Sequence, residues 1–528
     1  MASATAASSP RQADDAQQAQ LPHVVIFPFM AKSHTIPLTH LAHLLRRRQL
    51  ATVTFLTTPG NAAFVRAALS GADGVAVVEL PFTNHVSPGA PPAAECVEAL
   101  DSSLFSLPAF VEAVESALRP RFERALAAMR PRASVVVADA FLHWAHAAAA
   151  AHGVPTLAFF VANMFAHVVR DVCVTRNPAA ALTGAAEFFT VPELPHVRLA
   201  LADIPVPYDD PALTGPIREM DAKVGKAFAD SQGLIVNTFD AMESRYIEHW
   251  NRRIGPRAWP VGPLCLASLT PTSRHGDTPA WMRWLDEKAA AGRAVLYVAL
   301  GTFMAVREAQ LREVADGLER SGLDFLWAVR PADVVLPAGF EERVRGRGMV
   351  VREWVDQCAI LGHESVKGFL SHCGWNSTLE SISAGVPLAA WPMGAEQPIN
   401  AKLVVDELRI ALKVSARNVA GGLVSSEEIA SMVRELIAGE KGAETARNAV
   451  AMAAKAREAV AEGGSSWKAL QELISGLNRP TGDAIMEGAA SLQNKGQRDP
   501  CVNTTDLTMR TENDDEVNTS WRPRMGMN

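Results

Sequence analysis

The chain has 528 residues, 48% of them hydrophobic and 20% charged, with 50 Lys and Arg against 57 Asp and Glu, a formal charge of −7. Such a composition excludes collagen-like and wholly disordered chains, and an acidic balance without a basic stripe argues against nucleic acid as a partner. The length allows two to four domains with cores large enough to need no staples.

The N-terminal stretch Met1–Pro22 is rich in Ala, Ser and Gln. It has no basic start followed by an apolar core, so a disordered leader and no secretory signal are expected. His23–Phe29 is a β-branched apolar run, read as a buried strand. A loop over Met30–Thr35 follows, then a helix from Pro37 to Arg48. Val53–Thr57 and Val75–Leu80 read as strands, with Asn61–Ser70 a helix between them. The alternation resumes as helix Ser103–Arg130, strand Val135–Ala138, helix His143–Ala151 and strand Thr156–Phe160. Strands alternating with helices predict a parallel sheet covered on both faces.

Ala140–Val169 holds no Asp, Glu, Lys or Arg, but four histidines, Asn163 and a central Gly153-Val154-Pro155 interrupt it. A helix, turn, buried strand and second helix fit it better than a bilayer span, so no stable membrane insertion is expected. A Pro-rich segment, Gly255–Pro279, has linker composition. The pattern then restarts with strands Val295–Leu300, Phe325–Val329, Val350–Trp354, Val366–Ser371 and Pro387–Ala390, and closes with three helices ending at Leu477. After that the apolar periodicity disappears. The expected organisation is a disordered start at 1–22, a first domain at 23–255, a linker at 256–280, a second domain at 281–477 and a disordered tail at 478–528. The fold class is α/β: two doubly wound, Rossmann-like domains facing across a cleft.

Six cysteines are scattered without a Cys-x-x-Cys pair, which fits a reducing, cytoplasmic compartment. The sequons at Asn503 and Asn518 carry no weight without a secretory signal. Cys358, His363, His372 and Cys373 lie close in sequence, but their spacing fits no common zinc site. The pairs His40/His43 and His143/His146 read as satisfied helix residues.

A doubly wound sheet binds nucleotides by default, so phosphate devices matter most. No Gly-x-Gly-x-x-Gly follows the first strand, which weighs against an NAD-dependent oxidoreductase, and no P-loop occurs. In the second half, the strand ending at Ser371 runs into His372-Cys373-Gly374-Trp375-Asn376-Ser377, with a helix from about Thr378. Gly374 suits a tight turn, Asn376 or Ser377 suits a cap, and a helix start with His372 beside it suits an anion. The bland alternative is an ordinary capped turn over a buried Trp. Glu380 lies one turn into that helix, where it can reach ribose hydroxyls. Glu396 and Gln397 follow the strand Pro387–Ala390 and offer an acid and an amide to vicinal hydroxyls. For Trp354, core packing and stacking on a base stand level on position alone.

The segment Trp354–Gln397, WVDQCAILGHESVKGFLSHCGWNSTLESISAGVPLAAWPMGAEQ, resembles the signature box of the plant UDP-dependent glycosyltransferases of secondary metabolism. The likeness covers about residues 23–477, and its wording (SHTIPL, LYVALGT, AEQPINAKLV) is most similar to the 90A-type subgroup. The resemblance implies a GT-B fold, with the acceptor on the first domain and a UDP-sugar on the second. It implies that Trp354 stacks on uracil, with Val355 beside it and Gln357 near the base and ribose. Glu380 would hold ribose hydroxyls. Thr302, His372, Asn376 and Ser377 would contact the diphosphate. The Trp375 backbone, Glu396 and Gln397 would hold the sugar, and Gln397 favours UDP-glucose over other UDP-sugars as co-substrate.

His34, after strand one, matches the family's general base, and Asp139 in Val137-Ala138-Asp139-Ala140-Phe141 its partner acid. An acceptor hydroxyl must lose a proton as it attacks, imidazole suits that task, and a carboxylate behind it fixes the tautomer. Attack opposite the leaving group inverts the anomeric carbon. No Asp-x-Asp occurs, so neither metal nor other cofactor is expected. The expected partners are a UDP-sugar and a small lipophilic aglycone bearing a hydroxyl or carboxyl, bound by a monomer. A non-catalytic UDP-sugar-binding protein is the rival reading, against which His34 and Asp139 count. Three features depart from the family: Ser33 stands where Gly is frequent, Val161-Ala162-Asn163 where a hydroxyl side chain occurs, and Gly394 where an aromatic occurs.

Overall fold

The computed structural model describes residues 21–82, 95–100, 106–182, 184, 187–212, 214–268, 278–301, 306–329, 336–414 and 423–477. Thr302, the tail 478–528 and nearly all of the leader 1–22 lie outside the described residues.

Fifteen strands are described. The first set is β1 (His23–Phe27), β2 (Thr52–Thr57), β3 (Val75–Glu79), β4 (Val135–Asp139), β5 (Thr156–Phe159), the short antiparallel pair β6 (Phe189–Thr190) and β7 (Arg198–Leu199), β8 (Leu234–Val236) and β9 (Ala258–Pro260). The second is β10 (Val295–Ala299), β11 (Asp324–Ala328), β12 (Gly348–Val351), β13 (Val366–Ser371), β14 (Leu388–Ala390) and β15 (Ala411–Lys413). They form a seven-stranded sheet in the order β3-β2-β1-β4-β5-β8-β9 and a six-stranded sheet in the order β12-β11-β10-β13-β14-β15. Every pairing in both sheets is parallel.

Burial on both faces explains the unbroken apolar strands. Along β1, Val24 and Ile26 enter one core while Val25 and Phe27 enter the opposite one. Along β10, Leu296 and Val298 enter one core, and Val295 and Tyr297 another. That last core spans both halves of the molecule: Phe165, Phe239 and Tyr246 share it with Trp375, Leu379 and Ile399.

Several boundaries differ from expectation. Ala258–Pro260, read as linker, pairs with β8 and is an edge strand of the first sheet. The closing helix Ser465–Gly476, read as second-domain, buries Leu470, Leu473 and Ile474 against Val24, Ile26 and Val53 of the first sheet. Its apolar stripe is plain in the sequence, but amphipathicity does not say which core receives it. The strand before Trp354 ends at Val351, so Trp354 stands in the following loop. The apolar stretch from 140 resolves into helix Ala145–Ala151, β5 and helix Met164–Arg176. Among the described residues no helix is long and apolar enough to cross a membrane.

Both sheets reverse their strand order once, between β1 and β4 and between β10 and β13. Ligands of open parallel sheets sit beyond the carboxyl ends of the strands at such switch points. Asp139 ends β4 and His34 lies beyond the end of β1, while Gly301 and His372 follow β10 and β13.

Candidate active site

The helix after β1 starts at Lys32, five residues earlier than Pro37, so His34 lies in its first turn rather than in a loop. The first turn is held from outside: the Lys32 N–H donates to Glu98 Oε1 at 2.7 Å. Pro37 lies within this helix. It has no N–H to give to the carbonyl four residues back, Ser33. That carbonyl instead accepts Asn376 Nδ2 from the second domain at 2.6 Å. One proline thus opens a cross-cleft contact beside His34.

Because β1 and β4 are neighbours, His34 and Asp139 meet. His34 Nδ1 lies 2.7 Å from Asp139 Oδ2, and the Asp139 side chain is fully buried. Asp139 Oδ1 accepts the Phe141 N–H at 3.0 Å. A carboxylate only accepts, so Nδ1 carries the imidazole proton and Nε2 remains as an acceptor. The rings of Phe29, Phe141 and Phe160 surround His34, with centroids 5.7, 5.4 and 6.0 Å away. Phe110 extends this aromatic wall, 5.8 Å from Phe29.

Opposite stands the helix Trp375–Ala384. It begins three residues earlier than expected, and Gly374 rather than Asn376 or Ser377 takes the cap position. Gly374 has no side chain with which to cap it. The Glu396 carboxylate takes the Trp375 N–H, and the start otherwise offers first-turn N–H groups and the positive end of the helix dipole. The tight turn is also built differently from the expected one. Cys373, not Gly374, adopts the left-handed conformation, at φ 65°. Gly374 is required for space: a Cβ there would lie 2.5 Å from His372 Nε2. A Cβ on Gly301 would meet the same ring at 2.8 Å. Two glycines thus cradle His372, whose pKa burial pushes down to about 4. At neutral pH it is an uncharged imidazole.

The Trp375 side chain is buried, and its Nε1 donates to the Asn237 carbonyl across the domain interface at 2.9 Å. Gln357 ties neighbouring residues together: its Nε2 donates to Ser377 Oγ at 2.9 Å and Glu380 Oε2 at 2.7 Å, while Tyr297 donates to its Oε1 at 3.2 Å. Burial raises the Glu380 pKa to about 7, with the Gln357 bond opposing. Val355 packs half-buried against the central core. Trp354 is 54% exposed. Core packing is thereby excluded for it.

Glu396 precedes the helix Gln397–Lys402. Burial raises its pKa, offset in part by hydrogen bonds from its own N–H, from Asn400 and from the Trp375 N–H. Gln397 Oε1 accepts the N–H groups of Met393 at 2.9 Å and Gly394 at 3.1 Å, which leaves its Nε2 as the free polar end. The described candidates thus fall into two groups, one around His34 and Asp139 and one around the start of the helix Trp375–Ala384, linked by the bond from Asn376 to the Ser33 carbonyl.

Sequence reasoning passed over three contributors. Asn400 is fully buried and donates to the Cys373 carbonyl at 2.9 Å, while its Oδ1 accepts Asn163 Nδ2 from the first domain at 2.9 Å. Asn163 also caps its own helix through the Ala166 N–H. Lys32 places its ammonium 4.3 Å from the centre of the Trp354 ring. Asn400 is visible in AEQPINAKLV, but nothing in a single sequence pairs it with Asn163. Among the described residues no cluster of three or more His, Cys, Asp or Glu could hold a metal ion.

The family model for UDP-glucoronosyl and UDP-glucosyl transferase matches residues 277–451. UDP-glycosyltransferase 90A2 of Arabidopsis thaliana is 43% identical over 464 residues, covering 86% of this chain and 97% of the relative. UDP-glycosyltransferase 90A1 of the same plant is 40% identical over 469 residues, covering 86% and 96%. Among solved structures, Phytolacca americana UGT2 complexed with UDP-2fluoro-glucose and pterostilbene superposes with a TM-score of 0.70 at 29% identity, covering 87% of this chain and all of that one. The chain belongs to the plant UDP-glycosyltransferases, is 90A-like within them, and has their two-domain GT-B fold.

Proposed function

We propose that this UDP-glycosyltransferase moves glucose from UDP-glucose to a hydroxyl or carboxyl of a small apolar plant metabolite, with inversion. His34 takes the acceptor proton at Nε2. The acceptor oxygen forms its bond to the anomeric carbon as the bond to the diphosphate breaks, and UDP leaves with that electron pair. Asp139 fixes the tautomer and stabilises the imidazolium that forms. The start of the helix Trp375–Ala384, with His372 as an uncharged hydrogen-bonding group, receives the diphosphate. Trp354 takes uracil, Gln357 and Glu380 the ribose, and Glu396 and Gln397 the sugar. Thr302 joins the diphosphate contacts by the family pattern.

One observation carries most of this reading. The bond from Asn376 to the Ser33 carbonyl sets the start of the helix Trp375–Ala384 against the residue next to His34. A base and an anion site so close fit an acceptor attacking a carbon that carries a diphosphate. The Phe29, Phe141 and Phe160 rings favour an apolar acceptor, in keeping with the pterostilbene bound by the Phytolacca enzyme. The test is UDP release over a panel of phenols, alcohols and acids, with UDP-glucose and UDP-galactose compared. Turnover with apolar acceptors and a preference for UDP-glucose is expected. A preference for UDP-galactose overturns the donor assignment, and UDP binding without transfer to any acceptor overturns the enzymatic one.

A further inference from the structure

Trp354 has an unusual setting for a stacking platform. It stands three residues beyond its strand and is more than half exposed. The ring contacts that define its plane come from the other domain: the Lys32 ammonium at 4.3 Å and the Phe64 ring, edge-on, at 6.3 Å. Lys32 is also 5.7 Å from the Phe64 ring centre, so the three form one cluster. A lysine at the first position of a helix faces the positive end of the dipole, which disfavours it there. Its placement is therefore not explained by helix stability. The same short segment also carries the Ser33 carbonyl held by Asn376, and His34 itself.

We propose that Lys32 is a positioning residue for the nucleotide. Its ammonium sits on one face of the Trp354 indole and holds the ring in the plane that receives uracil. The nucleotide platform is then complete only when the two domains meet, and occupancy of the platform is coupled through Lys32 to the segment that carries the base. The inference rests on the assignment of uracil to Trp354.

The test titrates UDP and uridine calorimetrically into wild type, Lys32→Met and Lys32→Arg. Methionine keeps the length and loses the charge; arginine keeps a cation able to lie over an indole. Lys32→Met is expected to weaken UDP and uridine by the same factor, about two- to five-fold, the worth of one exposed cation–π contact. Lys32→Arg restores wild-type affinity. In turnover, KM for the donor rises by the same factor while KM for the acceptor stays. Unchanged or tighter UDP binding by Lys32→Met overturns the inference. So does a loss confined to UDP, which would mean a direct contact with phosphate. If wild type itself fails to bind UDP, the donor assignment falls and this inference with it.

Discussion

Replacing Asp139 by asparagine changes almost no volume but reverses one hydrogen bond. Asp139 is fully buried and serves two donors, the Phe141 N–H at 3.0 Å and His34 Nδ1 at 2.7 Å. The amide introduced by Asp139→Asn has one acceptor and one donor group. If its oxygen keeps the Phe141 N–H, its NH₂ group faces Nδ1, which must then become an acceptor. The imidazole proton moves to Nε2, and the base presents a hydrogen where it needs a lone pair. The flipped amide faces NH₂ against the Phe141 N–H and leaves that buried donor unpaired, at about 1–3 kcal/mol. The first arrangement therefore wins, and the fold is kept while the tautomer is lost. General-base assistance is worth roughly 10²–10⁴ in rate, or about 3–5 kcal/mol of barrier. Asp139→Asn should lose kcat by that amount in a UDP-release assay, with KM for UDP-glucose nearly unchanged because the proposed donor contacts lie mainly on the other domain. Retention of more than a tenth of wild-type kcat would refute the tautomer argument.

Gly374→Ala should push the His372 ring aside, since the added Cβ would lie 2.5 Å from its Nε2. A loss of roughly 10–100-fold in donor kcat/KM is expected, and unaltered kinetics would show that the ring does not meet the donor. Gln397→His removes an oxygen that holds two loop N–H groups and alters the polar end left for the sugar. The preference for UDP-glucose over UDP-galactose should narrow by roughly five-fold, about one neutral hydrogen bond; an unchanged ratio would exclude Gln397 from donor choice. Glu380 offers a test in pH, because burial raises its pKa from 4.5 to about 7. If ribose hydroxyls donate to the ionised carboxylate, uridine, which itself has no group titrating in this range, lowers that pKa on binding and drives a proton off. Calorimetry at pH 6 in buffers of different ionisation enthalpy should register proton release, and affinity should climb as pH rises towards 8. In Glu380→Gln both effects should vanish; their persistence would contradict the assignment.

The parallel strands were legible because they are buried on both faces and read as continuous apolar runs. The box was legible because His372, Trp375 and Glu380 lie within a few residues of one another. His34 and Asp139 are more than a hundred residues apart, and adjacency of β1 and β4 is what joins them. Positions fixed by atomic space were not readable in the same way. Gly374 suggested a left-handed turn, whereas Cys373 takes that conformation and Gly374 makes room for His372. Pro37 marked a helix start, yet lies inside the helix and frees the Ser33 carbonyl for Asn376. The Lys32–Trp354 and Asn163–Asn400 contacts cross between domains, and one sequence without a fold gives no means of pairing such residues.

The base role proposed for His34 is tested by His34→Ala measured twice on the same preparation, by UDP calorimetry and by UDP-release turnover with a phenolic acceptor. UDP affinity is expected within about two-fold of wild type, with turnover down by roughly 10²–10⁴. Full turnover with intact UDP binding would contradict that role, because the proton would then leave by a group other than His34.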